Sequence, residues 1–447
     1  MYLLCLFLLL ATGITAGAAE WPPVLDTVNP SIQALDGRKV EFYTHGCRDT
    51  WGYADAASDA WKAPAPLESG KNAQVRNSFY VLSPSQPKEQ SPLVVVLHSA
   101  NRTAFDYLGT QVLHRKLDNV DPTDCVLQTP EGYYGLYLNS PNEEWWGWAQ
   151  AKHDPARYAS ANTPGEQRVL DSIEWVVQRY HIDRNRIYLT GLSMGGCGTL
   201  GIGMAHGEIF AAMCAFVPAG TEYMALRRGW PADPAVTATP EERAAWLQHI
   251  SGAGRPDPPY LVDFSATDDN WSKTQPALLH AARAGHLPLV LAWGPFHHTT
   301  YRGPINKIPI CATALAFPWL EIRKDAAYPV FTNATCDQRA PWRDNPETID
   351  PAGQMNACFR WKNLQDTPTR LKMQLWLTPD QPTATADITL RRLQHFQVKP
   401  GQTYAWTVTQ DGKQLAAGTV TPDAANLLTL PQVPITTAPV ELTLRKK

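Results

Sequence analysis

Residues 186–205, RIYLTGLSMGGCGTLGIGMA, decide how this chain is read. Ile187, Tyr188 and Leu189 have the character of a buried strand end, Gly191 to Gly195 fit the pattern G-x-S-x-G, and the residues from Gly196 onward read as a helix. A strand that turns sharply into a helix lifts the hydroxyl of Ser193 out of the backbone, while Gly191, Gly195 and Gly196 let the two elements approach closely around it. The five letters alone also fit an ordinary glycine-rich turn with a buried serine. The surrounding chain separates the two readings.

Immediately upstream, Thr163-Pro164-Gly165-Glu166 precedes Val169, Ile173, Val176 and Val177, an apolar pattern near helical spacing that runs to about Tyr180. A solvated helix N-terminus is expected for Glu166. Further back, residues 92–98, PLVVVLH, form a continuous apolar run suited to a strand covered on both faces. Residues 39–43, 77–82 and 125–129 are further expected strands. Downstream, residues 210–217 end in another strand, residues 260–264 lead into Asp268 and Asp269, and residues 289–293 lead into His297 and His298. Serine, acid and histidine thus follow one another in chain order, each after an expected strand.

Over residues 40–320 this arrangement resembles the α/β-hydrolase family and, within it, secreted polyester depolymerases and feruloyl esterase-like serine hydrolases. The resemblance implies an α/β fold with a mostly parallel central sheet and Ser193 as nucleophile. The family's acid commonly lies in a His-Gly-x-x-Asp loop, which puts Asp268 in phase and leaves Asp269 as the alternative. Its base usually follows a glycine; here His298 is preferred, with His297 in the glycine's place and also the competing base. The strand before the first oxyanion donor usually ends in His-Gly, where this chain has His98-Ser99-Ala100. The implied donors are the backbone N–H of Met194 and one from Ser99 or Ala100. A serine activated by imidazole, an orienting carboxylate and backbone donors complete acyl transfer to water, so neither a metal nor an organic cofactor is called for.

Tyr133, Tyr134, Tyr137, Trp145, Trp146 and Trp148 read as an aromatic loop, part of which pins the loop to the core. Trp145, Trp146 and Trp148, with Trp271 and Trp293 beside the acid and base stations, are the candidate stacking residues for substrate.

Residues 1–19 resemble a secretory signal peptide, with an apolar run at residues 2–11 and small residues near the expected cleavage. No later segment is apolar enough to span a bilayer, so an exported protein without stable membrane insertion is expected, periplasmic or extracellular. A formal charge of -3 over 447 residues provides no basic footprint for nucleic acid. Export also permits disulfides among the seven cysteines beyond Cys5, with Cys336 and Cys358 the first pair to consider. The chain divides into the catalytic region at 20–321, a Pro- and Asn-containing junction at 322–370, and a C-terminal region at 371–447. In the last, alternating short strands separated by Pro400-Gly401 and Asp411-Gly412 indicate a β-sandwich, somewhat like a fibronectin-type module. Trp376, Tyr404 and Trp406 are either its core or a polymer platform.

The expected activity is removal of feruloyl or acetyl groups from a polysaccharide or oligosaccharide. Short polyester cleavage, exported peptidase activity and noncatalytic binding are the alternatives. Oligomeric state is not encoded in any of these patterns.

Overall fold

The computed structural model describes residues 21–26, 31–45, 78–100, 102–112, 127–140, 145, 161–218, 257–267, 269, 272, 275–296, 298, 309–340 and 351–447. The signal-like segment lies outside them. Among the described residues no helix is long and apolar enough to cross a membrane.

Five consecutive buried residues, Leu93–Leu97, form β5 at the centre of the larger domain. Strands β1 to β4 are Val24–Leu25, Ser31–Gln33, Lys39–Thr44 and Ser78–Leu82, while β6 to β10 are Tyr134–Leu138, Ile187–Leu192, Ala212–Phe216, Tyr260–Ala266 and Leu289–Gly294. With Gly353–Met355 as β12, the sheet follows the order β1-β3-β4-β6-β5-β7-β8-β9-β10-β12, with β2 beside β3. Its centre from β6 to β10 is parallel, and antiparallel strands close both edges. Such a centre must be covered on both faces, which explains its unbroken apolar runs.

Helices α1 (Ala104–Val112) and α5 (Pro309–Leu315) contribute to the core on one face. Helices α2 (Pro164–Tyr180), α3 (Met194–Gly203) and α4 (Gln275–Ala284) contribute to the other. At the start of α2, Thr163 Oγ1 accepts from Glu166 N–H and Glu166 Oε2 accepts from Thr163 N–H, a reciprocal cap. Glu166 is fully buried, contrary to the solvated position expected from sequence, because its other oxygen meets His206 Nε2 at 2.9 Å. Glu208 meets His206 Nδ1 at 2.6 Å, so the two carboxylates raise the histidine's pKa against the opposing effect of burial.

The strand expected near residues 125–129 instead begins at Tyr134. Residues 127–130 are irregular; Thr129 accepts a hydrogen bond from Arg38 through its carbonyl and pairs its hydroxyl with Tyr137 at 2.8 Å. Tyr134 and Tyr137 are therefore strand residues supplying opposite faces of the sheet, not members of an aromatic loop.

The C-terminal domain contains two antiparallel sheets around their own core. The three-stranded sheet joins β11 (Tyr328–Thr332), β15 (Thr383–Arg391) and β18 (Thr429–Thr436). The five-stranded sheet joins β13 (Phe359–Asp366), β14 (Arg370–Leu377), β19 (Val440–Lys446), β16 (Tyr404–Gln410) and β17 (Lys413–Val420). The described part of the interval expected to be a junction thus contains β11, β12 and β13, with β12 completing the edge of the large sheet. Tyr404 and Trp406 belong to the sandwich core, whereas Trp376 is half-buried on the outward side of β14. Arg391 and Arg392 tie this domain to the larger one. Arg391 pairs with Asp257 at 2.9 Å and donates to two carbonyls, while the Arg392 guanidinium reaches the carbonyls of Gly207, Phe210 and Ala211.

Candidate active site

Ser193 stands between β7 and α3 with φ 55° and ψ −116°, backbone that a non-glycine residue adopts at a cost of about 1–3 kcal/mol. Its N–H donates to Phe216 O at 2.9 Å and its carbonyl accepts from Cys197 N–H at 2.9 Å, so both ends of the strained residue are held. Close packing adds a second restraint. A Cβ on Gly195 would collide with the backbone of Leu97, and one on Gly191 with that of Gly195. The glycines therefore permit β5, β7 and α3 to converge beneath the hydroxyl.

Across the sheet edge, His298 follows β10 and Asp269 follows β9. Ser193 Oγ is 2.7 Å from His298 Nε2, and His298 Nδ1 is 2.5 Å from Asp269 Oδ2. With Nδ1–H donating to the carboxylate, Nε2 is available to accept the serine proton. The histidine side chain is 30% exposed and the carboxylate side chain only 6%, which puts the acid behind the base. The preferred acid from sequence, Asp268, lies outside the described residues, as does His297; the histidine contact is made by Asp269. Ser272 O–H donates to Ala266 O and Asp269 O at 2.7 Å each, closing the turn that presents the acid. Thr267 N–H donates to Gly294 O at 3.0 Å, joining the acid loop to the end of the histidine-bearing strand.

Asp263 is a different carboxylate. It is fully buried, 2.6 Å from Ser265 Oγ and 3.2 Å from Gln275 Nε2, and burial pushes its pKa up to about 7 despite those two donors. It is the central residue of β9 and supports that strand from inside the sheet.

Met194 is the first residue of α3, where helix geometry leaves its N–H without a partner in the helix. Ser99 and Ala100 follow β5, and the loop there is held by contacts that sequence reasoning missed. His98 Nδ1–H donates to Ser99 O at 2.8 Å, His98 Nε2 accepts from Ser140 N–H at 3.0 Å, and Tyr107 O–H donates to Ser99 Oγ at 2.9 Å. Burial lowers the His98 pKa to about 4, consistent with a neutral ring that can donate from one nitrogen and accept at the other. The available signal was a polar histidine at the end of an apolar strand, but its partners come from separate parts of the chain.

Trp145 is completely buried, donates from Nε1 to His98 O at 2.8 Å, and lies edge-on to the His98 ring. It braces the loop and offers no stacking face to substrate. Trp293 is also fully buried, against Gly353 on the neighbouring strand, so its expected substrate contact is likewise corrected. Trp146, Trp148 and Trp271 lie outside the described residues. Among the described residues no group of three or more metal-ligating side chains is assembled.

The parallel sheet and the strand–Ser193–helix turn have the arrangement of an α/β-hydrolase fold. Residues 162–284 match the prolyl oligopeptidase family. Poly(3-hydroxybutyrate) depolymerase from Ralstonia pickettii is 27% identical over 167 residues, covering 36% of this chain and 33% of that protein. Feruloyl esterase B from Talaromyces stipitatus is 23% identical over 203 residues, covering 43% and 52% respectively. The chain therefore spans about a third to a half of the length of these curated relatives. Acetyl xylan esterase from Aspergillus awamori has 16% identity and a TM-score of 0.34, over 46% of this chain and 74% of that one.

Proposed function

We propose that this protein is an exported serine carboxylester hydrolase that removes feruloyl or acetyl groups from polysaccharide or oligosaccharide esters. The observation carrying the hydrolase reading is the continuous contact from Ser193 Oγ through His298 to Asp269. His298 accepts the Ser193 proton as Oγ attacks the ester carbonyl, and then delivers it to the departing alkoxide. Asp269 stabilises the imidazolium through Nδ1–H, while the N–H groups of Met194 and Ser99 or Ala100 stabilise the oxyanion. Water then attacks the acyl-enzyme with the same histidine as base.

Similarity to feruloyl esterase B supports the carbohydrate-ester assignment, and the depolymerase similarity supports a short polyester as the second reading. Comparing kcat/KM on feruloylated and acetylated oligosaccharides, hydroxyalkanoate oligomers, aryl esters and matched amides divides these possibilities. Preference for carbohydrate esters is expected. Efficient cleavage confined to hydroxyalkanoates overturns the substrate assignment, while selective amide cleavage overturns the ester assignment as well.

Export also motivates a Cys336–Cys358 disulfide. The two cysteines are buried and their sulfurs lie 3.0 Å apart. Folding in a glutathione redox buffer, followed by non-reducing peptide mapping, should recover the two cysteines in one linked species; two separate alkylated peptides would refute the pairing.

A further inference from the structure

A cavity lies where the domains meet, away from Ser193. Tyr188, near the start of β7, donates through its hydroxyl to Ile322 O at 2.9 Å, whereas Ser193 follows the opposite end of that strand. Beside Ile322, the short helical turn Trp319–Glu321 and strands β13 and β14 enclose about 240 Å³. Glu321, Arg360, Trp361, Lys362, Asn363 and Trp376 line it. That volume is below the roughly 300–1,000 Å³ of drug-sized sites and suits one ring of a longer ligand.

The chemistry of the wall restricts that ring. Arg360 donates to the carbonyls of Ala357 at 2.6 Å, Phe359 at 2.8 Å and Ala316 at 3.3 Å, and its guanidinium lies 5.4 Å from the Phe317 ring centre. Those carbonyls accept hydrogen bonds without neutralising the cation. Burial lowers the Arg360 pKa, and Glu321 and Asp380 oppose that shift only through longer-range attraction. Among the described residues Arg360 forms no ion pair, unlike neighbouring Arg323, which pairs with Asp183 and Asp325. Lys362 supplies an exposed cation beside it.

Asn363 donates from Nδ2 to Ala327 O at 2.6 Å, while its buried Oδ1 has no hydrogen-bond partner. The site therefore offers two cations and a half-buried indole from Trp376, while Asn363 Oδ1 is buried beneath its floor. A uronic acid residue supplies the matching carboxylate and flat carbon face. Trp361 contributes less directly, since its ring is stacked on Tyr260 with centres 5.3 Å apart.

We propose that this cavity binds a uronate unit of an acidic polysaccharide, with its carboxylate on Arg360 and Lys362 and its ring against Trp376. Its use as a substrate anchor rests on the carbohydrate-esterase assignment, whereas uronate binding does not. Glu321 faces the ligand's hydroxyl side, since placing the carboxylate there would bring like charges together.

Calorimetry on full-length Ser193→Ala measures this binding without turnover. A glucuronic-acid-substituted xylo-oligosaccharide should bind about tenfold or more tightly than the neutral oligosaccharide of equal length, the scale expected for a charge-assisted hydrogen bond. Adding Lys362→Gln or Trp376→Ala should weaken acidic-oligosaccharide binding while leaving the melting temperature within a few degrees. In the Ser193-intact protein, either substitution should leave small aryl-ester kcat/KM unchanged. Equal binding of acidic and neutral sugars overturns the assignment, as does no loss in both variants. Binding of free hydroxycinnamate without binding of the acidic oligosaccharide also overturns it. Uronate binding without aryl-ester turnover in the Ser193-intact protein instead rejects the hydrolase assignment and retains the binding site.

Discussion

The two domains place left-handed backbone in opposite settings. In the sandwich, exposed Asp411 and Gly412 have φ values of 49° and 79° at the tight turn between β16 and β17, where a two-residue hairpin favours positive φ. In the larger domain Ser193 adopts φ 55° while only 8% exposed, between a fully buried strand and a fully buried helix. The hairpin conformation follows from local turn chemistry. At Ser193 the neighbouring strands and glycines impose the same unusual sign of φ on a residue whose oxygen meets His298, so the strained conformation is coupled to a chemical contact. A substitution at the serine relay should therefore alter rate more than folding, whereas one at the domain joint should do the reverse.

The largest expected effect is on catalysis. Asp269→Asn should lower kcat by about 10⁴-fold, by analogy with loss of the acid in a serine protease triad, while retaining the folded-state circular dichroism. Asp268→Asn should stay near the parent rate. A loss confined to Asp268→Asn would reassign the acid.

The domain joint provides the opposite limit. Arg392→Ala removes the guanidinium donor from three buried carbonyls and should destabilise the protein by about 1–3 kcal/mol, read from the urea midpoint. Its kcat per folded molecule should remain within a few-fold of the parent. A wild-type midpoint would show that this cluster does not hold the domains together.

Asp263 tests stability as a function of pH. Its folded pKa, about 7, exceeds the unfolded value of about 3.9, so the folded chain retains the proton that the unfolded chain releases. This contribution is fully present below pH about 4 and is lost as pH rises through about 7. Asp263→Asn should flatten that decline and raise stability above pH 7 by a few kcal/mol at most. Parallel parent and variant profiles would contradict the assignment. The smallest expected change is at the α2 cap, where Thr163→Ala should cost about 1 kcal/mol, measured by urea unfolding.

The parallel centre was legible because β5, β7 and β9 end in residues whose chemistry follows a strand, and α2 begins on its Thr-Pro-Gly-Glu signal. The β6 position was less legible: alternating tyrosines serve both sheet faces there, so their spacing looked unsuited to a single face. Ser193 and the two stations facing it were visible from motif and chain order. The support beneath Ser99 was not, since His98, Ser140 and Trp145 converge only after folding. Trp145 and Trp293 illustrate the same limit, because an indole's type and sequence position do not fix whether it faces substrate or the interior. In the sandwich, Asn426 takes a φ of 61° in the turn before β18, a detail that alternation of apolar residues does not reveal.

The central claim is covalent catalysis by Ser193, and intact-mass spectrometry after rapid mixing with a slowly deacylating activated ester tests it most directly. The expected result is one acyl group per folded chain, mapped to the Ser193 peptide and absent from folded Ser193→Ala. Turnover of that ester with no Ser193 adduct, or with undiminished rate in Ser193→Ala, would contradict it.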